Sequence, residues 1–120
     1  MTQQDKDLLL RDLSARLPYR VYVRVKYKEG EPCYGKLTPR DIQWFIDSNI
    51  EVIKPYLRPM SSMTKDEEKE YNKTLCVIRG HGSFCTIDTF DYLISHGFDV
   101  HDLIPKGLAI EVTEENNPYK

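Results

Sequence analysis

The sequence has little that would mark a secreted, fibrous or membrane-spanning protein. Three cysteines in 120 residues, Cys33, Cys76 and Cys85, are too few and odd in number for a disulfide framework. No apolar run approaches the ~20 residues that cross a bilayer. The opening Met-Thr-Gln-Gln-Asp lacks a basic-then-apolar leader, so a cytoplasmic protein without membrane contact is expected. Internal repeats and low-complexity tracts are missing too. So is an excess of one charge: 17 Lys and Arg against 19 Asp and Glu leave −2, which excludes a globally basic nucleic-acid coat. What is present suits a soluble domain, with 40% hydrophobic and 11% aromatic residues. A chain of this length can bury roughly two-thirds of its unfolded surface, enough for one core without metals or disulfides.

The near-zero charge is a cancellation. Residues 1–58 hold eleven Lys and Arg against eight Asp and Glu, and residues 59–120 hold six against eleven. Within the first half, residues 13–28 contain Arg16, Arg20, Arg24, Lys26 and Lys28 and no acid.

Local patterns divide the chain into elements of a single domain, 1–120. Thr2 caps a helix over 1–18, with Asp5 in the reciprocal position; Leu9, Leu10, Leu13 and Leu17 form its stripe and Pro18 stops it. Arg11 and Arg16 fall off that stripe and are expected in solvent. Residues 20–58 read mainly as strands. From Arg20 to Lys28 the alternation is strict, with Val21, Val23, Val25 and Tyr27 on one face and Arg20, Tyr22, Arg24, Lys26 and Lys28 on the other. Glu29-Gly30-Glu31-Pro32 turns the chain into a return strand, Cys33 to Leu37.

Residues 39–48 are open between two readings. Thr38-Pro39-Arg40-Asp41 is a helix start, whereas Ile42-Gln43-Trp44-Phe45-Ile46 is rich in strand formers and Ile50 to Ile53 could pair as a strand. A short helix is favoured. Pro55 and Pro59 stiffen the stretch Lys54 to Thr64, which reads as a connection between the halves.

Residues 59–112 read as mainly helical. Thr64-Lys65-Asp66-Glu67 opens a polar helix to about residue 74, and Leu75 to Ile78 extends it or forms a strand. Arg79 to Ser83 is expected as a loop. Ile87, Phe90, Leu93 and Ile94 form a stripe ended by Gly97, and Asp99 caps a second short helix through Ile104. Leu108 to Val112 reads as an added sheet edge and 113–120 as a mobile tail. The expected fold class is α+β: an N-terminal helix, a small antiparallel sheet that could curl toward a barrel, and a C-terminal helical segment.

Three stretches carry a resemblance: Leu8 to Tyr19 (LLLRDLSARLPY), Lys54 to Thr64 (KPYLRPMSSMT), and Asp91 to Ala109 with its HGFD and LIPKGLA segments. Together they are similar to a large family of short, uncharacterised bacterial and prophage-encoded proteins. The resemblance implies a mobile-element setting. It carries no activity, cofactor or residue role.

Candidate chemistry is sparse. Cys76, His81 and Cys85, with His96 and His101 downstream, lack the close pairs of structural zinc sites, so no metal or cofactor is expected. Arg79-Gly80-His81-Gly82-Ser83 lacks the glycine, lysine and hydroxyl spacing of a phosphate loop. Cys85 near His81, and Ser61 and Ser62, have no orienting group assigned by any motif. No catalytic residue emerges, and a non-enzymatic accessory or interaction protein with an unknown protein partner is expected.

The alternative is a nucleic-acid-binding module using Arg16, Arg20, Tyr22, Arg24, Lys26 and Lys28, cations interleaved with a ring that can meet phosphates and stack bases. Against it, such charges also keep an exposed strand soluble. Pro55, Tyr56, Leu57, Arg58, Pro59 and Met60 form either a partner-docking motif or, the favoured reading, a strap across the core with Tyr56, Leu57 and Met60 buried.

Overall fold

The computed structural model describes residues 2–78, 82–84 and 86–119. Helix α1 (Gln3–Arg16) starts where the Thr2 hydroxyl accepts the Asp5 amide at 3.0 Å. Its buried residues are Leu9, Asp12, Leu13 and Arg16, a pure i, i+3, i+4, i+7 set. The inward face is therefore rotated from the all-leucine stripe, with Leu10 and Leu17 only packed at its flank. Arg16, expected in solvent, is 1% exposed.

Strands β1 (Tyr22–Tyr27) and β2 (Cys33–Lys36) form the expected hairpin. Gly30 in its turn has φ 113°, open to glycine at no steric cost. Helix α2 (Pro39–Ile46) follows, with a reciprocal Thr38–Asp41 capping box. Its end closes by two bonds, Asn49 N–H to Trp44 O and Ser48 N–H to Phe45 O, with Ser48 at φ 64°. The favoured helix reading therefore holds for Ile42 to Ile46, which are not a strand, while Ile50 to Ile53 do pair, as the start of strand β3 (Ile50–Leu57).

β3 is the centre of the domain. It pairs antiparallel with β1 and parallel with the short β6 (Ile110–Glu111), giving an open four-stranded mixed sheet in the order β2-β1-β3-β6. The sheet is neither purely antiparallel nor closed toward a barrel, because β6 returns parallel at one edge and β2 stays unpaired at the other. A register shift opposite Lys26 and Tyr27 lets Ile50 and Ile53, an odd number of residues apart, both face the core.

Pro55 sits in this central strand without losing a ladder bond. Leu57 O accepts the Val112 amide, so Leu57 and, by alternation, Pro55 turn their backbone groups toward β6. β6 pairs only from Tyr56 onward, leaving nothing opposite Pro55 for an amide to meet. Residues 54–57 are thus a core strand rather than a strap. Leu57 is 0% exposed, Tyr56 half-buried, and Met60 lies 40% exposed in a 3-10 turn, Met60–Ser62.

The second half begins with peripheral elements and returns to the core at its end. Helix α3 (Lys65–Thr74) has the expected Thr64–Glu67 capping box and no buried residue. β4 (Cys76–Ile78) pairs with β5 (Gly82–Phe84), so Gly82 and Ser83 are in a strand rather than a loop; Arg79, Gly80, His81 and Cys85 lie outside the described residues. Helix α4 (Ile87–Ser95) buries Leu93 and Ile94 but leaves Ile87 81% exposed. Gly97, at φ 79°, ends it with the same two-bond closure as α2, and Phe98 packs back fully buried.

The carboxylate of Asp99 accepts the Leu103 and Ile104 amides, both at 2.9 Å, but residues 99–107 form turns instead of the expected helix. Six residues ending at Pro105 are too few to offset helix nucleation. The last residues are docked: the Asn116 side chain accepts the Thr113 amide at 2.6 Å, and Tyr119 inserts at the sheet.

The inner sheet face (Val21, Val23, Val25, Ile53, Leu57) meets Leu9 and Leu13 of α1, Phe45 of α2, and Leu103, Leu108 and Ala109. Each buried Val, Leu, Ile or Phe in this set contributes about 1.5–3 kcal/mol. The opposite sheet face is left open.

Candidate functional site

The open face follows from the pairing register. Arg24 lies opposite Tyr34 on one side and Lys54 on the other, Tyr22 opposite Lys36, and Lys26 opposite Val52. Paired residues share a face, so β2, β1 and β3 bring Lys36, Arg24, Lys26 and Lys54 onto one surface with Tyr22 and Tyr34. Tyr56, two residues beyond Lys54 on β3, joins them. Arg24, Lys26, Tyr34 and Lys36 are exposed; Tyr22, Val52, Lys54 and Tyr56 are half-buried. A shallow hollow of 190 Å³ lies between Arg24, Lys26, Lys54, Val52 and Pro32.

The electrostatics are one-sided. Like charges directly opposite across an antiparallel pair are destabilising, yet Arg24 and Lys54 face each other with no acidic partner among the described residues. The acid that approaches this group is Glu51, at 3.4 Å from Lys26 Nζ.

The rings differ in availability. Tyr22 is engaged: the Arg20 guanidinium lies 5.0 Å above it and donates to its hydroxyl at 2.7 Å, and Tyr119 meets it edge-on at 5.3 Å. Tyr34 is 70% exposed and has no ring contact among the described residues. It is the ring best placed to stack on a ligand.

Tyr119 fixes the end of this face. Its hydroxyl accepts the Tyr22 amide at 3.1 Å and donates to Tyr56 O at 2.8 Å, standing where the next β1–β3 ladder bond would fall. Burial holds its phenol above the ordinary value, against the Tyr22 bond and the charges of Arg16 and Arg20.

Of the residues singled out from sequence, Arg20, Tyr22, Arg24 and Lys26 gather on or beside this face, and Lys28 is exposed just past the end of β1. Arg16 is not among them; it is buried against Asp12. Lys36, Lys54 and Tyr34 were missed, because only the strand register brings them beside Arg24. In the proline segment, Arg58 is committed to Glu67 by two 2.7 Å bonds and stacks over Phe98 at 4.3 Å.

Other candidates separate in space. His101 bonds Asp12 at 2.8 Å, and His96 caps α4 with Nδ1 2.9 Å from Tyr92 O. Cys33 is a free, exposed thiol, and no group of His, Cys, Asp and Glu suited to a metal occurs among the described residues. No helix among them is long and apolar enough to cross a membrane. Comparisons with protein-family models, curated proteins and solved structures find no match.

Proposed function

We propose that the protein is a non-catalytic binding module that holds single-stranded nucleic acid on the open face of its sheet. The carrying observation is the Arg24–Lys54 pair: two cations opposed across adjacent strands, with Lys36 and the exposed Tyr34 ring alongside. The arrangement costs stability in the free protein and is relieved by an anionic backbone. A face kept only soluble would gain as much from mixed signs. Single strands are favoured because their bases are free to stack on an exposed ring. The resemblance to bacterial and prophage-encoded proteins is in keeping with a mobile-element setting for this activity.

The test is a titration of a labelled single-stranded oligonucleotide, followed by anisotropy, across a range of salt concentrations. Four cations on phosphates predict a slope of log affinity against log salt of about −3. No binding at low salt would overturn the reading.

A further inference from the structure

Past the Tyr22 end of the face lies a second hollow, of 270 Å³, lined by Arg20, Arg58, Ser95, His96, Asn117 and Tyr119, with Gly97 and Val112 completing it. Resting on the reading above, we propose that this hollow receives the terminal phosphate of the bound strand. Arg20 joins the two sites, since it packs over Tyr22 on the face and also lines the hollow.

The donors fit a phosphate monoester. Arg20 spends one amine on the Tyr22 hydroxyl, leaving the rest of its guanidinium without a partner among the described residues. Asn117 Oδ1 accepts the Tyr119 amide, which leaves its Nδ2 hydrogens unpartnered among those residues. At His96 the Tyr92 carbonyl can only accept, so Nδ1 carries the hydrogen and Nε2 of the neutral ring is an acceptor that adds no donor to the hollow. Arg58 adds a wall rather than net charge, being neutralised by Glu67. Among the described residues no carboxylate lines the hollow.

The C-terminus of α4 would oppose an anion through its exposed carbonyls. Here the carbonyls of Tyr92, Leu93 and Ile94 are taken by the His96, Phe98 and Gly97 amides, and Gly97 O beyond the helix by the Arg58 amide, which blunts that field and leaves Ser95 O as the last-turn carbonyl without a backbone partner among the described residues. At 270 Å³ the hollow has ample room for a phosphate group. A terminal monoester, carrying close to two negative charges, gains more from the Arg20 guanidinium and the Asn117 amide than an internal diester does.

The experiment compares one oligonucleotide in three forms, 5′-phosphate, 3′-phosphate and unphosphorylated, against the wild type and Asn117→Asp. The aspartate keeps the acceptor for the Tyr119 amide and sets a carboxylate beside the ligand. One phosphorylated end is expected to bind at least about tenfold more tightly than the hydroxyl form, the factor from one net charge-assisted bond. N117D should erase that difference and leave unphosphorylated binding within about twofold. Equal affinity of all three forms, with normal salt dependence, overturns the hollow and leaves the face standing. If no oligonucleotide binds, the face reading falls, and inorganic phosphate followed by amide NMR decides the hollow: shifts confined to Arg20, His96, Gly97 and Asn117 support it, and their absence overturns it.

Discussion

Asp12 and Arg16, one turn apart on α1, form a buried two-point ion pair. Arg16 Nε donates to Oδ1 at 2.6 Å and Nη2 to Oδ2 at 3.1 Å, with the two side chains 0 and 1% exposed. The same Nη2 donates to Phe98 O at 2.6 Å, and His101 Nδ1 bonds Asp12 Oδ2 as well, at 2.8 Å. Through one pair, α1 is tied to the turns that follow α4. Arg16→Ala or Asp12→Ala should each cost about 3–5 kcal/mol, because the remaining charge is left buried. The double change Asp12→Leu, Arg16→Met should cost less than either single one. Urea denaturation of the three variants measures this; a double variant as unstable as the sum would refute it.

Tyr119 is expected to hold the sheet through its hydroxyl. Tyr119→Phe strands the Tyr22 amide and the Tyr56 carbonyl and should cost about 1–3 kcal/mol. Burial raises the Tyr119 phenol above 10.0 in the fold, so its contribution is complete below that pH and is lost as pH rises through the higher folded value. Tyr27 and Tyr92 are raised by burial as well. Y119F should therefore reduce the alkaline fall in stability without removing it, as read from denaturation midpoints between neutral pH and pH about 11.

Acid should act through Glu67. Bonds from Arg58, helped by the Thr64 amide and opposed by burial, lower its carboxyl from 4.5 to about 2. A depressed folded value means that stability is present above the unfolded pKa and lost as pH falls through the folded one. The loss should run between about pH 5 and pH 2. Glu67→Gln, which can still cap Thr64, should flatten that limb in thermal melts; an unchanged limb would show that other carboxylates carry it.

On the open face, Tyr34→Ala should weaken single-strand binding by about 1–3 kcal/mol, the worth of one stacked base. Lys54→Ala should instead lower the salt slope by roughly 0.7, the contribution of one phosphate contact. Tyr34→Ala should leave the melting temperature near wild type, and Lys54→Ala should raise it slightly by relieving the repulsion from Arg24. A Tyr34→Ala protein that binds normally would remove stacking from the account.

The two helix closures make opposite predictions. Gly97 and Ser48 occupy the same left-handed position, at φ 79° and 64°. Gly97→Ala meets no atom within 4 Å, so its cost of about 1–2 kcal/mol is purely conformational. Ser48→Gly should stabilise the protein by up to about 1 kcal/mol, since glycine carries no Cβ penalty there. Chemical denaturation of the pair checks both signs.

Local chemistry was legible wherever the signal lies within a few residues. Thr38, Thr64 and Gly97 announced helix ends that the structure has, and the alternation of 20–28 announced β1 with its charged side outward. Those signals depend on capping and side-chain period, which the chain carries in its own order. Arg16 was misplaced because hydrophobicity alone locates a helix face; an acid and a base four apart can lie on that face once they neutralise each other. Pro55 hid the central strand, since a missing amide is harmless only where no neighbour faces it. That condition depends on β6, more than fifty residues away. The sequence by itself determined α1, the β1–β2 hairpin, the capped starts of α2 and α3, the glycine end of α4, and the basic, tyrosine-bearing side of β1. Tertiary structure decided that Lys36, Tyr34 and Lys54 join it, because cross-strand register is a relation between distant segments that no local pattern encodes.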